Sequence, residues 1–212
     1  MTLALVPAGA SAEHKPGHDT GGQGQPGQQG LSITARPNPV VFGRATVLSG
    51  RLTAQNRGGQ SVVLRGDPYP YGAFDNLATA TTSSNGEYTF TQRPRVNTRF
   101  QVRQGATDSA VVTVGVRIGT GLSVSDRTPR RGQRVRFSGR ACPEHDGALV
   151  RIQKLTRRGW ETVRRTQLRD AARCSTYSRG IRVYRDGTYR ATVRGDADHL
   201  GGISPRRVLD VG

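Results

Sequence analysis

Few side chains in this chain are of a type and spacing that could do chemistry. His145 lies between Glu144 and Asp146, with Ser138 seven residues upstream. A hydroxyl nucleophile, an imidazole base and an orienting carboxylate are therefore close in sequence. No nucleophile elbow or Gly-rich oxyanion loop accompanies them, and three polar residues after Pro143 fit a solvated turn better. Asp196-Ala197-Asp198-His199 offers oxygen and nitrogen ligands to a cation, but lacks the remaining ligands of an EF-hand loop and reads as the turn before the last strand. His14 and His18 would share one face of a helix and could chelate a metal, yet Pro16 and Gly17 argue against that helix. There is no phosphate loop, CxxC pair or HExxH. The chain is expected to be non-catalytic, without a cofactor or a metal site.

Two features are better suited to binding than to catalysis. Asp67-Pro68-Tyr69-Pro70-Tyr71-Gly72-Ala73-Phe74 is a Pro-braced loop whose aromatics, Tyr69, Tyr71 and Phe74, could stack on sugars or pack on a partner protein. The blander expectation is that Phe74, like Trp160, closes a core while the tyrosines cover an edge or the other module. Arginines at 134, 136, 151, 182, 190 and 194 fall at outward positions of several strands and could contact polyanions without sequence preference. A nucleic-acid reader would also need aromatics among those arginines for stacking, and only Trp160 and Tyr184 qualify.

Those groups must be held by elements that 33% hydrophobic residues can build, in a chain of 212 residues with 28 Gly and 11 Pro. That is enough for one or two small cores. No apolar run approaches the ~18–20 residues of a membrane-spanning helix. The net charge of +17 comes from thirty Arg and only two Lys against 15 acids, a skew that GC-rich codon usage produces by itself. Its distribution is uneven: residues 1–30 carry −1, residues 31–116 +5, and residues 117–212 +13.

An internal repeat organises the chain. Gly43, followed after five residues by Ser49-Gly50-Arg51, recurs 89 residues later as Gly132 followed by Ser138-Gly139-Arg140. The same offset carries Phe100 onto Tyr189 and Val102 onto Ala191, and small gaps bring Gly59 onto Gly147 and Phe74 onto Trp160. Within each copy apolar and polar residues alternate, as at Tyr88 and Phe90, Val135 and Phe137, or Ile181 and Val183, which is the period of a half-buried strand. Asn85-Gly86 and Asp186-Gly187 punctuate these runs as turns. Two tandem seven-stranded antiparallel β-sandwiches are expected, over 31–116 and 117–212, joined by a short segment around Val116 to Gly121 that limits swivelling. Glu161 to Arg173 holds good helix formers and no Gly or Pro, so a short helix is the alternative there to a strand followed by a loop.

With Pro37-Asn38-Pro39, Asn85-Gly86-Glu87-Tyr88 and Asp186-Gly187-Thr188-Tyr189, the chain resembles the bacterial immunoglobulin-like and fibronectin type III-like repeats of secreted and cell-surface proteins. The segment ending at Phe90 also looks like the prealbumin-like repeats of surface adhesins, another seven-strand sandwich. The resemblance implies a non-catalytic spacer or adhesion role, with cell-wall polymers or another surface protein as partners. It also puts Tyr189 at the corner-tyrosine position, whose hydroxyl bonds nearby backbone, with Phe100 in the first copy.

The compartment reading agrees with this. Leu3-Ala4-Leu5-Val6 followed by Ala10-Ser11-Ala12 looks like the tail of a secretory signal over 1–12, and residues 13–30, rich in Gly, Gln and Pro, read as a flexible tether. Cys142 and Cys174, both in the second copy, are expected to form a disulfide, as exported proteins oxidise such pairs.

Overall fold

A computed structural model describes residues 30–212. The signal-like segment, the tether as far as residue 29, and His14 and His18 lie outside the described residues. Gly30, expected to end the tether, instead belongs to the Gly30–Leu31 strand and pairs with Thr53. The described residues are all-β, in two tandem immunoglobulin-like sandwiches.

In the first sandwich Thr46–Thr53 is the central strand of one sheet, flanked by Gly30–Leu31 and Thr34–Arg36 on one side and Glu87–Gln92 on the other. The opposing sheet runs Val112–Val114, Thr98–Gln104, Ser61–Pro68, Asp75–Thr81. The second sandwich repeats this plan. Arg134–Cys142 lies between the edge strands Gly119–Thr120 and Ser123–Val124 and the Ser175–Arg182 strand. Facing it are Gly159–Gln167, Leu149–Thr156 and Gly187–Val193, with Gly202–Ile203 and Arg207–Leu209 along the far edge. In both copies the strand after the one opening the second sheet, Asp75–Thr81 or Gly159–Gln167, pairs with that opening strand, Ser61–Pro68 or Leu149–Thr156, whereas in a constant-type immunoglobulin domain the corresponding strand joins the first sheet.

Alternation along the strands gives each sandwich its own core. Leu48, Leu64, Phe90 and Phe100 fill the first, and Val135, Phe137, Ile152 and Ala191 the second, while Arg134 and Arg136, alternating with Val135 and Phe137, point to solvent. Each buried aliphatic or aromatic side chain contributes about 1.5–3 kcal/mol of transfer free energy. Glu161 to Arg173 takes the strand-then-loop form: Gly159–Gln167 pairs antiparallel with Leu149–Thr156 across one bulge at Val163, and Leu168 beyond it is buried against the second core.

Three expectations are corrected. Gly86 takes a positive φ of 83° as its turn requires, but Gly187 opens a strand with no positive φ, and the Asp186 carboxylate accepts the Val211 N–H. Phe74 and Trp160 do not close the cores: both are half-buried, beneath arginine guanidinium groups attracted to their ring faces. The hydroxyl–carbonyl bond assigned to Tyr189 is made by other tyrosines, because the Tyr189 ring is turned into the core against Phe137.

Those tyrosines form the same clasp twice. Tyr177 donates to the Gly121 carbonyl at 2.7 Å, and Tyr88 donates to the Ser32 carbonyl, with donor and acceptor each displaced by 89 residues between copies. Each hydroxyl reaches across the central strand to the edge strand, and it does so over a glycine, Gly139 or Gly50. A Cβ at Gly139 would overlap the Gly121 carbonyl oxygen and come within 2.6 Å of the Tyr177 hydroxyl; at Gly50 it would overlap the Ser32 carbonyl and crowd Tyr88 in the same way. Glycine is required here for close approach, not for an unusual φ. The clasp ties down edge strands that are otherwise only two or three residues long.

Cys142 and Cys174 are disulfide-bonded, with Cα atoms 4.6 Å apart. The bridge joins neighbouring strands of one sheet, just beyond the Ala141–Ser175 pair, and is not an intersheet link. Closing a loop of 32 residues restricts the unfolded chain by about 3–4 kcal/mol in the chain-entropy account.

Burial pushes the Tyr88 phenol up to about 12 and moves those of Tyr177 and Tyr189 upward as well. The fold thus favours the neutral phenol. That contribution is complete below the unfolded value of about 10 and is lost as the pH climbs toward the folded value. Thermal melts should therefore hold steady up to about pH 10 and fall steeply toward pH 12, with the 295 nm phenolate absorbance of these residues rising together with loss of the β-sheet circular dichroism. At neutral pH Tyr177→Phe should cost about 1–2 kcal/mol by orphaning the Gly121 carbonyl, and Gly139→Ala about 3 kcal/mol by overpacking. A Gly139→Ala protein as stable as wild type would refute the clasp.

Candidate functional site

The segment that joins the sandwiches is itself a strand. Val116–Arg117 pairs in parallel with Val40–Val41, and Arg117 bridges Leu200 of the second sandwich on its other side. Val40 and Phe42 donate to the carbonyls of Gly115 and Arg117 at 2.9 Å each; Leu200 donates to Val116 at 2.7 Å and Ile118 to Leu200 at 2.9 Å. Val116 and Ile118 are fully buried. The expected restriction on swivelling thus has a specific cause: the connecting backbone is laddered to both partners.

Asn97, which sequence reasoning did not single out, is the hub beside this strand. Its N–H donates to the Asp198 carbonyl and its carbonyl accepts from Tyr69. Its side-chain amide donates to Ala197 and accepts the N–H of buried Val116. Nothing in the sequence marks an asparagine between Val96 and Thr98 as special, since its partners lie up to 101 residues away.

The 67–74 loop lies next to this hub. The buried Asp67 carboxylate accepts the Gly72 N–H at 2.8 Å, which holds the turn, and Arg99 lies 3.8 Å from its other oxygen. The same guanidinium covers the Tyr71 ring at 4.0 Å, and Tyr69 meets Tyr71 edge-on at 5.5 Å. Arg65 lies over Phe74 and donates to its carbonyl. Tyr69 and Tyr71 are brought together and Phe74 is not shown against them, and one face of Tyr71 and one of Phe74 are already used by arginines. Tyr69 stays the most open of them.

The six arginines separate by sheet. Arg134, Arg136 and Arg182 share the exposed face of the disulfide-bearing sheet, where Arg134 stands directly opposite Arg182. Arg151 and Arg190 lie on the other sheet, with Arg194 just past the Gly187–Val193 strand, and Arg151 stands opposite Arg165. Arg190 is partly committed: it donates to Gln153 and stacks on Trp160 at 4.2 Å, with Arg206 near the same ring. Desolvation, then the neighbouring Arg206 charge, lowers its pKa. Trp160 is consequently covered, while Tyr184 is 57% exposed.

The residues imagined as a triad do not assemble. Ser138 sits mid-strand between Ser123 and Ser178. Ser175 instead donates to Asp146 at 2.6 Å and accepts the backbone N–H of His145. The His145 ring turns away from solvent, its side chain 6% exposed, toward Asp196 of the other polar turn. The expectation of a solvated turn is thus corrected at His145, while Glu144 and Asp146 are exposed. The two polar turns, read separately in sequence, meet in space.

No protein-family model matches the sequence, and no curated protein matches it. Solved structures similar to the described fold include a tetra-tandem repeat from the extending region of a large adhesion protein, at TM-score 0.34 and 17% identity over 86% of this chain and 49% of that one. A marsupial T cell receptor aligns at TM-score 0.39 and 11% identity over 85% of this chain and 72% of that one. This chain therefore spans about half the length of the adhesion-protein structure. Its immunoglobulin-like character is carried by its own strand pairing.

Asn97→Ala should destabilise the chain by about 2 kcal/mol, because the Val116 N–H is then left buried without a partner. Urea unfolding followed by Trp160 fluorescence checks this, and an unchanged midpoint would remove Asn97 from the junction's support.

Proposed function

We propose that this chain is a non-catalytic exported protein, a two-module spacer or adhesion-type element of the cell surface, with fibronectin type III-like modules over 31–116 and 117–212. The observation that carries this reading is the connecting strand, hydrogen-bonded to both sandwiches. A spacer has to transmit position, and a laddered join does so where a flexible linker would not. The disulfide adds support for an oxidising compartment, and the pairing of Asp75–Thr81 with Ser61–Pro68 and of Gly159–Gln167 with Leu149–Thr156 supports the fibronectin-like variant. The partners are cell-wall polymers or another surface protein, met at the 67–74 loop.

A second reading, polyanion binding through the second module, is favoured by a specific observation. Like charges directly opposite one another on neighbouring strands destabilise a sheet, and this module tolerates two such arginine pairs. A bound polyanion would offset that repulsion.

Fractionation of native cells, followed by pull-down with purified wall polymers and DNA, separates the readings. The spacer reading expects the chain in the envelope or culture fluid, and a cytosolic protein with reduced cysteines would sink it. The polyanion reading expects Arg134→Gln/Arg136→Gln/Arg182→Gln to lower the slope of log K against log salt on heparin by about 2–3. An unchanged slope would dismiss that face.

A further inference from the structure

The meeting of the two polar turns has a chemical consequence that goes beyond a spacer role. His145 Nδ1 is 2.9 Å from the Pro143 carbonyl, and His199 Nε2 is 2.7 Å from the Arg95 carbonyl of the first sandwich. A carbonyl can only accept, so each ring carries a proton on that nitrogen. In the neutral rings the other nitrogens, His145 Nε2 and His199 Nδ1, then hold lone pairs. These point at carboxylates: His145 Nε2 is 3.1 Å from Asp196 Oδ2, and His199 Nδ1 is 3.0 Å from Asp198 Oδ1 and 4.0 Å from Asp196 Oδ1. Four acceptors converge, one from each residue and all within 4.8 Å of one another. His199 is 3% exposed, and its Nδ1 is buried without a hydrogen-bond partner.

Lone pairs facing carboxylates repel unless a positive centre lies between them. We propose that His145, Asp196, Asp198 and His199 form a binding site for one divalent transition-metal ion of the zinc class. Zinc takes imidazole nitrogen and carboxylate oxygen at about 2.0–2.2 Å, which for a tetrahedron puts ligand atoms about 3.3 Å apart, between the closest and widest separations found here. Two carboxylates balance the ion's charge. Each imidazole is oriented through its other N–H by a backbone carbonyl, the arrangement by which proteins fix the tautomer of a metal-binding histidine. The surrounding structure is built for these roles: His199 N–H donates to Asp196 Oδ1 and the Asp196 N–H to the His199 carbonyl, which closes the turn that presents three of the ligands. The neighbouring group of Glu144, Asp146 and Asp170 offers only exposed carboxylates and serves as a comparison.

The site would do mechanical work. It would tie the 143–147 and 195–201 loops of the second sandwich together while His199 and Asp198 hold the first sandwich through Arg95 and Asn97. A bound ion would therefore stiffen the junction.

The test uses the full chain carrying His14→Ala and His18→Ala, which removes the two other imidazoles, after exhaustive chelation and at pH 7.5. Equilibrium dialysis against zinc should give one ion per chain, with Tm raised by several degrees. His145→Gln and Asp198→Asn, the latter at a partly exposed carboxylate that the fold can spare, should each weaken uptake by about tenfold or more, and Asp170→Asn should leave it unchanged. No uptake at about 100 μM zinc would overturn the site, since a Kd weaker than that is not a built one. Uptake undiminished in both ligand variants, or lost only in Asp170→Asn, would overturn it equally, and protons would then be the positive centres between the rings and carboxylates.

Discussion

A buried backbone amide or carbonyl must find a hydrogen-bond partner, and at the centre of this protein that requirement falls on residues 115–118. Val116 and Ile118 are fully buried, so their flanking peptide groups cannot turn to water. Val40 and Phe42 satisfy them from the first sandwich, and Leu200 from the second. The connection is consequently one strand of a two-stranded parallel sheet with Val40–Val41, bridged on its other side by Leu200, so both modules contribute. Everything nearby follows from this: Asn97 supplies the Val116 N–H with its acceptor, the 196–199 turn is pulled against the first module, and Phe42 meets His199 edge-on.

Within each module the comparable constraint is the tyrosine clasp. The sandwiches are small and their edge strands short, so a ladder of two or three residue pairs leaves those strands close to fraying. A phenol spanning the sheet to an edge carbonyl adds a bond that does not depend on the ladder. It works only where the strand crossed has no Cβ, which is why Gly50 and Gly139 sit in the middle of strands, where glycine is otherwise unfavourable.

The fold was largely legible in the sequence, because alternation at Val135 and Phe137 or Tyr88 and Phe90 reflects a local period that needs no knowledge of distant contacts. The disulfide was legible for the same reason of economy, with only two cysteines to pair. The corner-tyrosine position points to Tyr189, yet the sequence also carries the signal for the clasp: Ser32, Gly50 and Tyr88 map onto Gly121, Gly139 and Tyr177 at the offset of the repeat. Asp196, Asp198 and His199 are legible as candidate cation ligands from their spacing, but the joining of His145 to them is not. His145 and His199 are 54 residues apart, and their meeting depends on how two loops at one end of a sheet fold over one another. The places of Phe74 and Trp160 are not legible, because an aromatic beside arginines can bury its face under a guanidinium at the surface, which hydrophobic patterning does not encode.

If the connecting strand locks the sandwiches together, they should unfold together, although each has a core of its own. Differential scanning calorimetry of the oxidised chain tests this most directly. The account predicts one transition whose calorimetric and van't Hoff enthalpies agree. Two resolved transitions, or a van't Hoff enthalpy near half the calorimetric value, would show modules that melt independently and would contradict it.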